Sequence, residues 1–570
     1  MRHKILAVTA LGWLAAVPAT RAADICTTSD TRDSLRYVQY FMSRVQDVPG
    51  CAMRVAGQRI EVQAGITNPA LSCPDMFAWK LFADAVTAQF WRGWAADQET
   101  WPGNGPSADA GQPYPLCASG EPPGKCCNPD AASNPGYDDP TYKAKYCPYF
   151  PGDHAMAPGA MPLRLGVQPS KAHTLGFAAS PRFRAELQQE ASLAQQILEA
   201  PDPTKGRRIR QSMAEIVFRN KPFFDYVFRN DLYNTDGVVK LFKANAGNIP
   251  AGAPYRLADG AGALSEIVFP ADAVMIKSDW LSRERAEAMG LHDDPRNPYV
   301  KMSITSPVLD DNGSILQPGE HWLVAIHFSS KDTPNWVWTT FEHVNNPGRC
   351  DYTGCNDSYG YASPDAVAAG QARNYTRPHE VCDGLLLPSY VLDPGGSYAG
   401  GEPQPGLAEA FAALGIGTRD NPTLVPEPTD RAWLSYRLKG TQVEFTDATG
   451  RPTHLGNSVT EAGFVTTSSC ITCHARAGTN AGGTVPLPLG VFENGLTDSG
   501  YLPSSHGLPQ PDWYNQSGQP PTLLVLQTDF AWGFLLANPL HPPTALAAAL
   551  PRRARLGLLL RSARDRVLGQ

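Results

Sequence analysis

Apolar positions along the chain change period part-way. From Pro74 to about Gln98, Trp79, Phe82, Val86, Phe90 and Trp94 recur at three- and four-residue spacing, which predicts one helix with an aromatic stripe. Such a stripe is either a wall for a ligand or, more commonly, a buried helix face. Arg182 to Ala200 repeats the pattern through Phe183, Leu187, Ala191, Ala194 and Leu198, and Pro201 and Pro203 stop it. A further helix is expected over roughly Lys205 to Asn220, with short ones at Phe223–Phe228 and Val238–Ala244. Beyond about residue 262 the period becomes two. Val300, Met302 and Ile304 alternate, Asp311-Asn312-Gly313 signals a hairpin, and Trp322, Val324, Ile326 and Phe328 share a strand face. Trp336, Trp338 and Thr340 line the next strand after a loop at Ser330 to Pro334, and a later hairpin is expected between Gln442–Phe445 and Thr453–Leu455.

The pattern therefore predicts an α+β fold, with a helical, Cys-rich N-terminal half and a β-rich C-terminal half. The chain divides into residues 1–22, a Cys/Pro/Gly-rich region with one long helix at 23–160, a helical region at 161–261, a β-rich domain at 262–430, a region at 431–542, and a tail at 543–570. Gly and Pro number 51 and 52 of 570 residues, loop-rich but below the roughly 25–30% that marks disorder. With a net charge of −7, nothing suggests a nucleic-acid binder, which would want a basic face.

The β-rich half ends in a chemical motif, Cys470-Ile471-Thr472-Cys473-His474. C-x-x-C-H is the pattern of a covalent haem c attachment site, in which two thiols add across the vinyl groups and the His becomes an axial iron ligand. With 12 Cys and 12 His in the chain, chance supplies such a pattern only roughly 0.005 times. A dithiol redox site would want a βαβ context, and a zinc ribbon would want a second C-x-x-C. Neither accompanies the motif. One covalent haem c is the expected cofactor, held by Cys470 and Cys473 with His474 proximal and Arg476 a candidate propionate partner.

Haem c attachment calls for an oxidising compartment. Arg2-His3-Lys4, the apolar run Ile5 to Val17 and Thr20-Arg21-Ala22 form the three parts of an export signal over 1–22, so a soluble periplasmic protein is expected. The ten other cysteines are then read as disulfides. Seven precede residue 150 and three lie between 350 and 382. Both groups are odd, so complete pairing requires a bridge between them. Arg552 to Arg566, interleaved with Leu556 and Leu558 to Leu560, is a basic amphipathic segment and the only expected membrane contact. A frayed terminal helix is the plainer reading.

The stretch Ser468 to His474 resembles the haem signature of bacterial exported c-type cytochromes. More loosely, Lys277–Trp280, Trp336 to Asn346 and Leu455-Gly456-Asn457-Ser458 resemble large proteobacterial monohaem proteins. The first resemblance implies electron transfer to a redox partner protein. Small cytochromes c take a Met downstream of the motif as second ligand, but here the last Met is Met302, so the simple small cytochrome fold is not expected. The distal candidates are His321, His343, His506 and Met302. If the 330–334 loop closes a simple hairpin, His321 faces His343, with Glu320 or Glu342 nearby as a second metal or haem-facing pair. A second functional expectation is a peroxidase- or oxygenase-like haem oxidoreductase with an open distal iron, because an electron shuttle needs only about 100 residues. A haem-based sensor ranks third, for want of a signalling domain.

Overall fold

The computed structural model describes residues 50–57, 59–62, 65–101, 213–250, 265–304, 319–346, 402–420, 424–446, 453–461, 468–483 and 508–540. Shorter described stretches are Asp47, 117–118, 150–153, 168–169, 308–309, 315–316, 349, 357, 359–362, 379–382 and 385–387. The export signal, the 182–200 helix, the Asp311-Asn312-Gly313 turn, His506 and the 552–566 tail lie outside the described residues. The described part is α+β. No helix within it is long and apolar enough to cross a membrane.

One antiparallel sheet organises the described residues. Its strands are β1 Gln168–Pro169, β2 Ala214–Arg219, β3 Val274–Ser282, β4 Lys301–Ile304, β5 Gly319–Ser330, β6 Val337–His343 and β7 Tyr436–Gln442. They run in the order β7-β6-β5-β3-β2-β1, and β4 pairs with the first half of β5 on the edge that β6 takes further along. Ala214–Arg219 is thus a strand, not the end of a helix from Lys205. Both its faces are buried, so it reads as a continuous apolar run whose period decides nothing. It pairs with β3 across the 261/262 boundary.

Helix α1, Pro74–Thr87, packs across one face. Pro74 suits its first turn, which lacks internal amide acceptors. The Asp47 carboxylate accepts from the amides of Asp75 and Met76, and the Cys51–Cys73 disulfide holds the residue before it. The helix expected to run to Gln98 ends earlier. Gln89 adopts a left-handed conformation, φ 50°, and breaks it into α1 and two short turns at Phe90–Gly93 and Asp97–Thr100. The aromatic stripe is core. Trp79 lies 4.8 Å from Phe341, Phe82 5.7 Å from Phe328, and Phe90 5.3 Å from Phe218, all between ring centroids.

The opposite face carries α2, Lys221–Arg229, α3, Thr235–Asn248, and the short α4, Cys470–Ala475. Asn220 and Asn234 cap α2 and α3 by accepting from the amides of Phe223 and Gly237. Ile471 and Ala475 of α4 share an apolar cluster with Trp336, Trp338 and Phe530. The N-terminal and middle regions also meet, since Tyr359 Oη donates to the Cys51 carbonyl at 3.2 Å.

The β5–β6 hairpin corrects one expectation. Ser330 pairs with Val337 and Ser329 with Trp338, whereas the simple loop puts Ser329 opposite Asn335. Trp336 is the cause: it takes a left-handed backbone, φ 63°, and its buried indole Nε1 donates to Asp529 Oδ1 at 3.2 Å. The shift is three residues, so His321 does not face His343. His321 pairs instead with Ser282 and Met302, and His327 pairs with Lys277 and Thr340.

Candidate functional site

Cys470 and Cys473 lie three residues apart in α4, which places them on one face of the helix. They are half-buried and not bridged to each other. Gln442, at the end of β7, anchors this turn. Its Oε1 accepts from the Ile471 amide at 3.2 Å, and its Nε2 donates to Ser469 Oγ at 3.2 Å and Thr453 Oγ1 at 3.0 Å. At the other end, the Ala475 carbonyl accepts from Tyr514 Oη at 2.6 Å and Gln527 Nε2 at 2.9 Å.

His474 Nδ1 lies 2.8 Å from the Phe530 carbonyl, which only accepts. The ring therefore donates from Nδ1 and carries its lone pair on Nε2. Its ring sits 4.2 Å from that of Trp338 on β6. The carbonyl is presented by an unusual turn, in which Asp529 and Phe530 both have left-handed backbones, φ 45° and 66°. The turn is held by the Asp529 carboxylate, which accepts from Lys331 Nζ at 2.6 Å, Trp336 Nε1 at 3.2 Å and the Phe269 amide at 2.7 Å. Left-handed non-glycine residues are costly and persist only where the surroundings fix them. Arg476 is buried, with its guanidinium 4.4 Å from the Trp513 ring centre.

Beside α4, the sheet face turns polar. Asp279 on β3, His327 on β5 and Thr340 on β6 meet a loop that brings Asn457, Thr460 and Glu461, with Lys277 on β3 and Glu215 on β2 alongside. Asn457 Oδ1 accepts from the amides of Val459 and Thr460 at 3.0 and 2.7 Å. Its Nδ2 therefore points the other way, donating to Thr340 Oγ1 at 2.9 Å and lying 3.1 Å from His327 Nε2. Thr460 Oγ1 donates to Asp279 Oδ2 at 2.6 Å and lies 3.1 Å from His327 Nε2. The same loop touches the motif, because Cys470 Sγ donates to the Leu455 carbonyl at 3.6 Å.

Lys277 lies deep in the protein yet keeps 25% of its side-chain surface, 4.0 Å from Glu215 Oε2. Burial pulls the Lys277 ammonium down, but Glu215, Asp279, Glu461 and Cys470 together hold it above its usual value. Burial lifts the Asp279 carboxyl to about 7 against the pull of Lys277. Burial, Lys277 and His474 depress His327 well below the ordinary imidazole range, so its ring is neutral. Burial pushes both thiols up. Glu461 adds to the effect at Cys470, while Arg476 and Lys277 oppose it at Cys473. Both cysteines are protonated thiols rather than thiolates.

The other expected residues sit elsewhere. His343 stacks on Tyr299 at 3.6 Å, with Nε2 bonded to the Pro298 carbonyl at 3.3 Å and Nδ1 accepting from the Asn345 amide at 3.1 Å. His321 donates from Nδ1 to the Gly319 carbonyl at 3.0 Å, and Met302 packs in the core on the α1 face. Glu320 accepts from Trp322 Nε1, and Glu342 from Ser458 Oγ. Among the described residues no group of three or more His, Cys, Asp or Glu side chains is placed to hold a metal ion. Comparison with family models, with curated proteins and with solved structures finds no match to this chain.

Proposed function

We propose that the chain is an exported, periplasmic monohaem c-type cytochrome, which passes electrons between a redox partner protein and one covalent haem c. The observation that carries this reading is the donor set at α4. Two unbridged, half-buried thiols share one helical face, and the adjacent His474 is fixed by the Phe530 carbonyl in the tautomer whose Nε2 can bind metal. These residues fit haem c. Cys470 and Cys473 would hold the macrocycle, His474 its iron, and the buried Arg476 a propionate. Bound there, the haem would supply a one-electron redox couple.

The chain's own residues prepare that position. Gln442, Tyr514 and Gln527 tie both ends of α4, so the thiols and the imidazole keep a fixed spacing. Trp338 covers one side of the His474 ring and excludes water from it.

A second reading, a haem oxidoreductase with an open distal iron, is favoured by the polar cluster. Asp279 and His327 are buried and Lys277 half-buried, all three are charged or protonatable, and they adjoin the motif, which a pure electron carrier does not require. The test of the first claim is a pyridine haemochrome spectrum of denatured protein made in cells that attach haem c. Wild type retains haem through denaturation, and Cys470→Ser with Cys473→Ser loses it. Haem retained by the double variant would contradict the assignment.

A further inference from the structure

His474 takes its orientation from a turn far along the chain. The Phe530 carbonyl, 2.8 Å from its Nδ1, belongs to a pair of left-handed residues, Asp529 and Phe530, neither of them glycine. Such a pair keeps its conformation only where contacts impose it. On one side the pair is held by the chain that leaves the motif. The Thr528 amide donates to the Ala477 carbonyl at 2.9 Å, and Gln527 and Leu526 pair with Gly478 and Thr479. The turn is then closed by the Ala531 amide on the Thr528 carbonyl at 3.0 Å and by Thr528 Oγ1 on the Ala531 carbonyl at 2.9 Å.

Those bonds close the turn, and Asp529 ties it to the sheet. Its buried carboxylate accepts at Oδ1 from Lys331 Nζ and Trp336 Nε1, and at Oδ2 from the Phe269 amide. Lys331 is itself fixed, since its Nζ also donates to the Pro334 carbonyl at 2.8 Å and its amide to the Ala273 carbonyl at 2.9 Å. Two of the three donors come from the β5–β6 hairpin, and Trp338 of the same hairpin lies against the His474 ring. One hairpin thus meets the face of the imidazole directly and its N–H through Asp529.

We infer that Asp529 is a positioning residue for His474: its carboxylate, fixed by Lys331, Trp336 and the Phe269 amide, keeps the Phe530 carbonyl on Nδ1. The bond from Nδ1 to that carbonyl fixes the tautomer and raises the basicity of the ligating nitrogen. A more basic imidazole favours ferric over ferrous iron, so Asp529 also lowers the haem potential. The redox consequence rests on the haem c reading. The effect on the imidazole tautomer does not.

The test is Asp529→Asn. Asn tolerates the left-handed backbone as Asp does, so the variant keeps the turn's local preference and changes only the acceptors. Its amide nitrogen must face either the Phe269 amide or the Lys331 and Trp336 donors, and a donor facing a donor makes no bond. In the haem-loaded full chain the ferric–ferrous equilibrium is expected to move roughly tenfold towards ferrous, an upward shift of about 59 mV for one electron. In the haem-free full chain labelled with 15N-histidine, wild-type His474 is expected to carry its proton on Nδ1. Asp529→Asn should shift it towards the Nε2–H form that a neutral imidazole favours in water, with His474→Gln assigning the signal. Trp336→Phe removes one of the three donors and should move both readouts less and in the same direction, should the Asn variant fold poorly. Trp79→Ala, which weakens the opposite face of the sheet, should move neither, so lost stability alone does not produce the result. A wild-type His474 protonated on Nε2 overturns the inference, as do a wild-type tautomer and potential in the folded Asp529 and Trp336 variants. Either result leaves covalent attachment standing. Absence of haem from denatured wild type instead overturns the haem reading, and the tautomer still decides the role of Asp529.

Discussion

The two faces of the sheet differ in kind. Under α1 the contacts are aromatic and dry: Trp79, Phe82, Phe90, Phe218, Phe328 and Phe341 fill one continuous core. On the other face, beside α4, the same strands place Asp279, His327 and Thr340 in contact with a polar loop, with Lys277 and Glu215 paired alongside. Strand alternation makes this possible, since each strand sends neighbouring residues to opposite faces. Phe328 and Ile276 face α1, while their neighbours His327 and Lys277 lie on the opposite face. The first face supplies stability without chemistry. The second keeps buried charge, which is costly unless paired, and it lies where the motif lies. The first face is apolar along its length, whereas the second joins an apolar cluster under α2 and α3 to a polar patch beside α4.

The sharpest way to break this division is to damage the aromatic face. Trp79→Ala should cost about 3–5 kcal/mol of stability, measured by denaturant unfolding, while haem attached per folded molecule stays unchanged. A specific loss of haem at full stability would mean the two faces are not separable. Removing the staple on the same side is next. Cys51→Ser with Cys73→Ser opens a loop with sequence separation 22 and should cost about 3 kcal/mol, again without altering the haem spectrum.

The polar face should respond to pH instead. The folded Asp279 carboxyl titrates near 7, above an unfolded carboxyl near 4, so the folded state binds the extra proton between these values. Its contribution to stability is full below about pH 4 and is lost as pH rises through about 7. His343 and His454, both lowered to about 3 by burial, act the opposite way. They are common to both proteins in a comparison with Asp279→Asn. Wild type should therefore lose stability relative to Asp279→Asn across this window, by up to about 1 kcal/mol per pH unit. A flat difference would show that Asp279 is ionised throughout. The smallest effect is expected at the anchor of α4. Gln442→Leu should cost about 1 kcal/mol and lower the yield of attached haem more than Trp79→Ala does at equal folded fraction.

Contiguous features were the legible ones. The C-x-x-C-H run, the aromatic stripe of α1, the short helices near 223–228 and 238–244, and the β5 and β6 strands all declare themselves within a few residues. What escaped depends on distant contacts. Ala214–Arg219 hides its strand character because both faces are buried. The β5–β6 register turns on the left-handed Trp336, which is set by Asp529 almost two hundred residues later, and a three-residue shift separates the expected His321–His343 pair. The Asp529-Phe530 turn that orients His474 carries no glycine to announce it. Asn457 and Thr460 were visible only as part of a loop, and their roles arise from the strands they cover.

The most direct test of the central claim is mass spectrometry of the peptide containing Cys470–His474, isolated after denaturation from protein made with haem c maturation. The account predicts a single haem joined through both thiols, leaving Cys470 and Cys473 inert to alkylation. Two free, alkylatable cysteines in that peptide, or a disulfide between them, would contradict it.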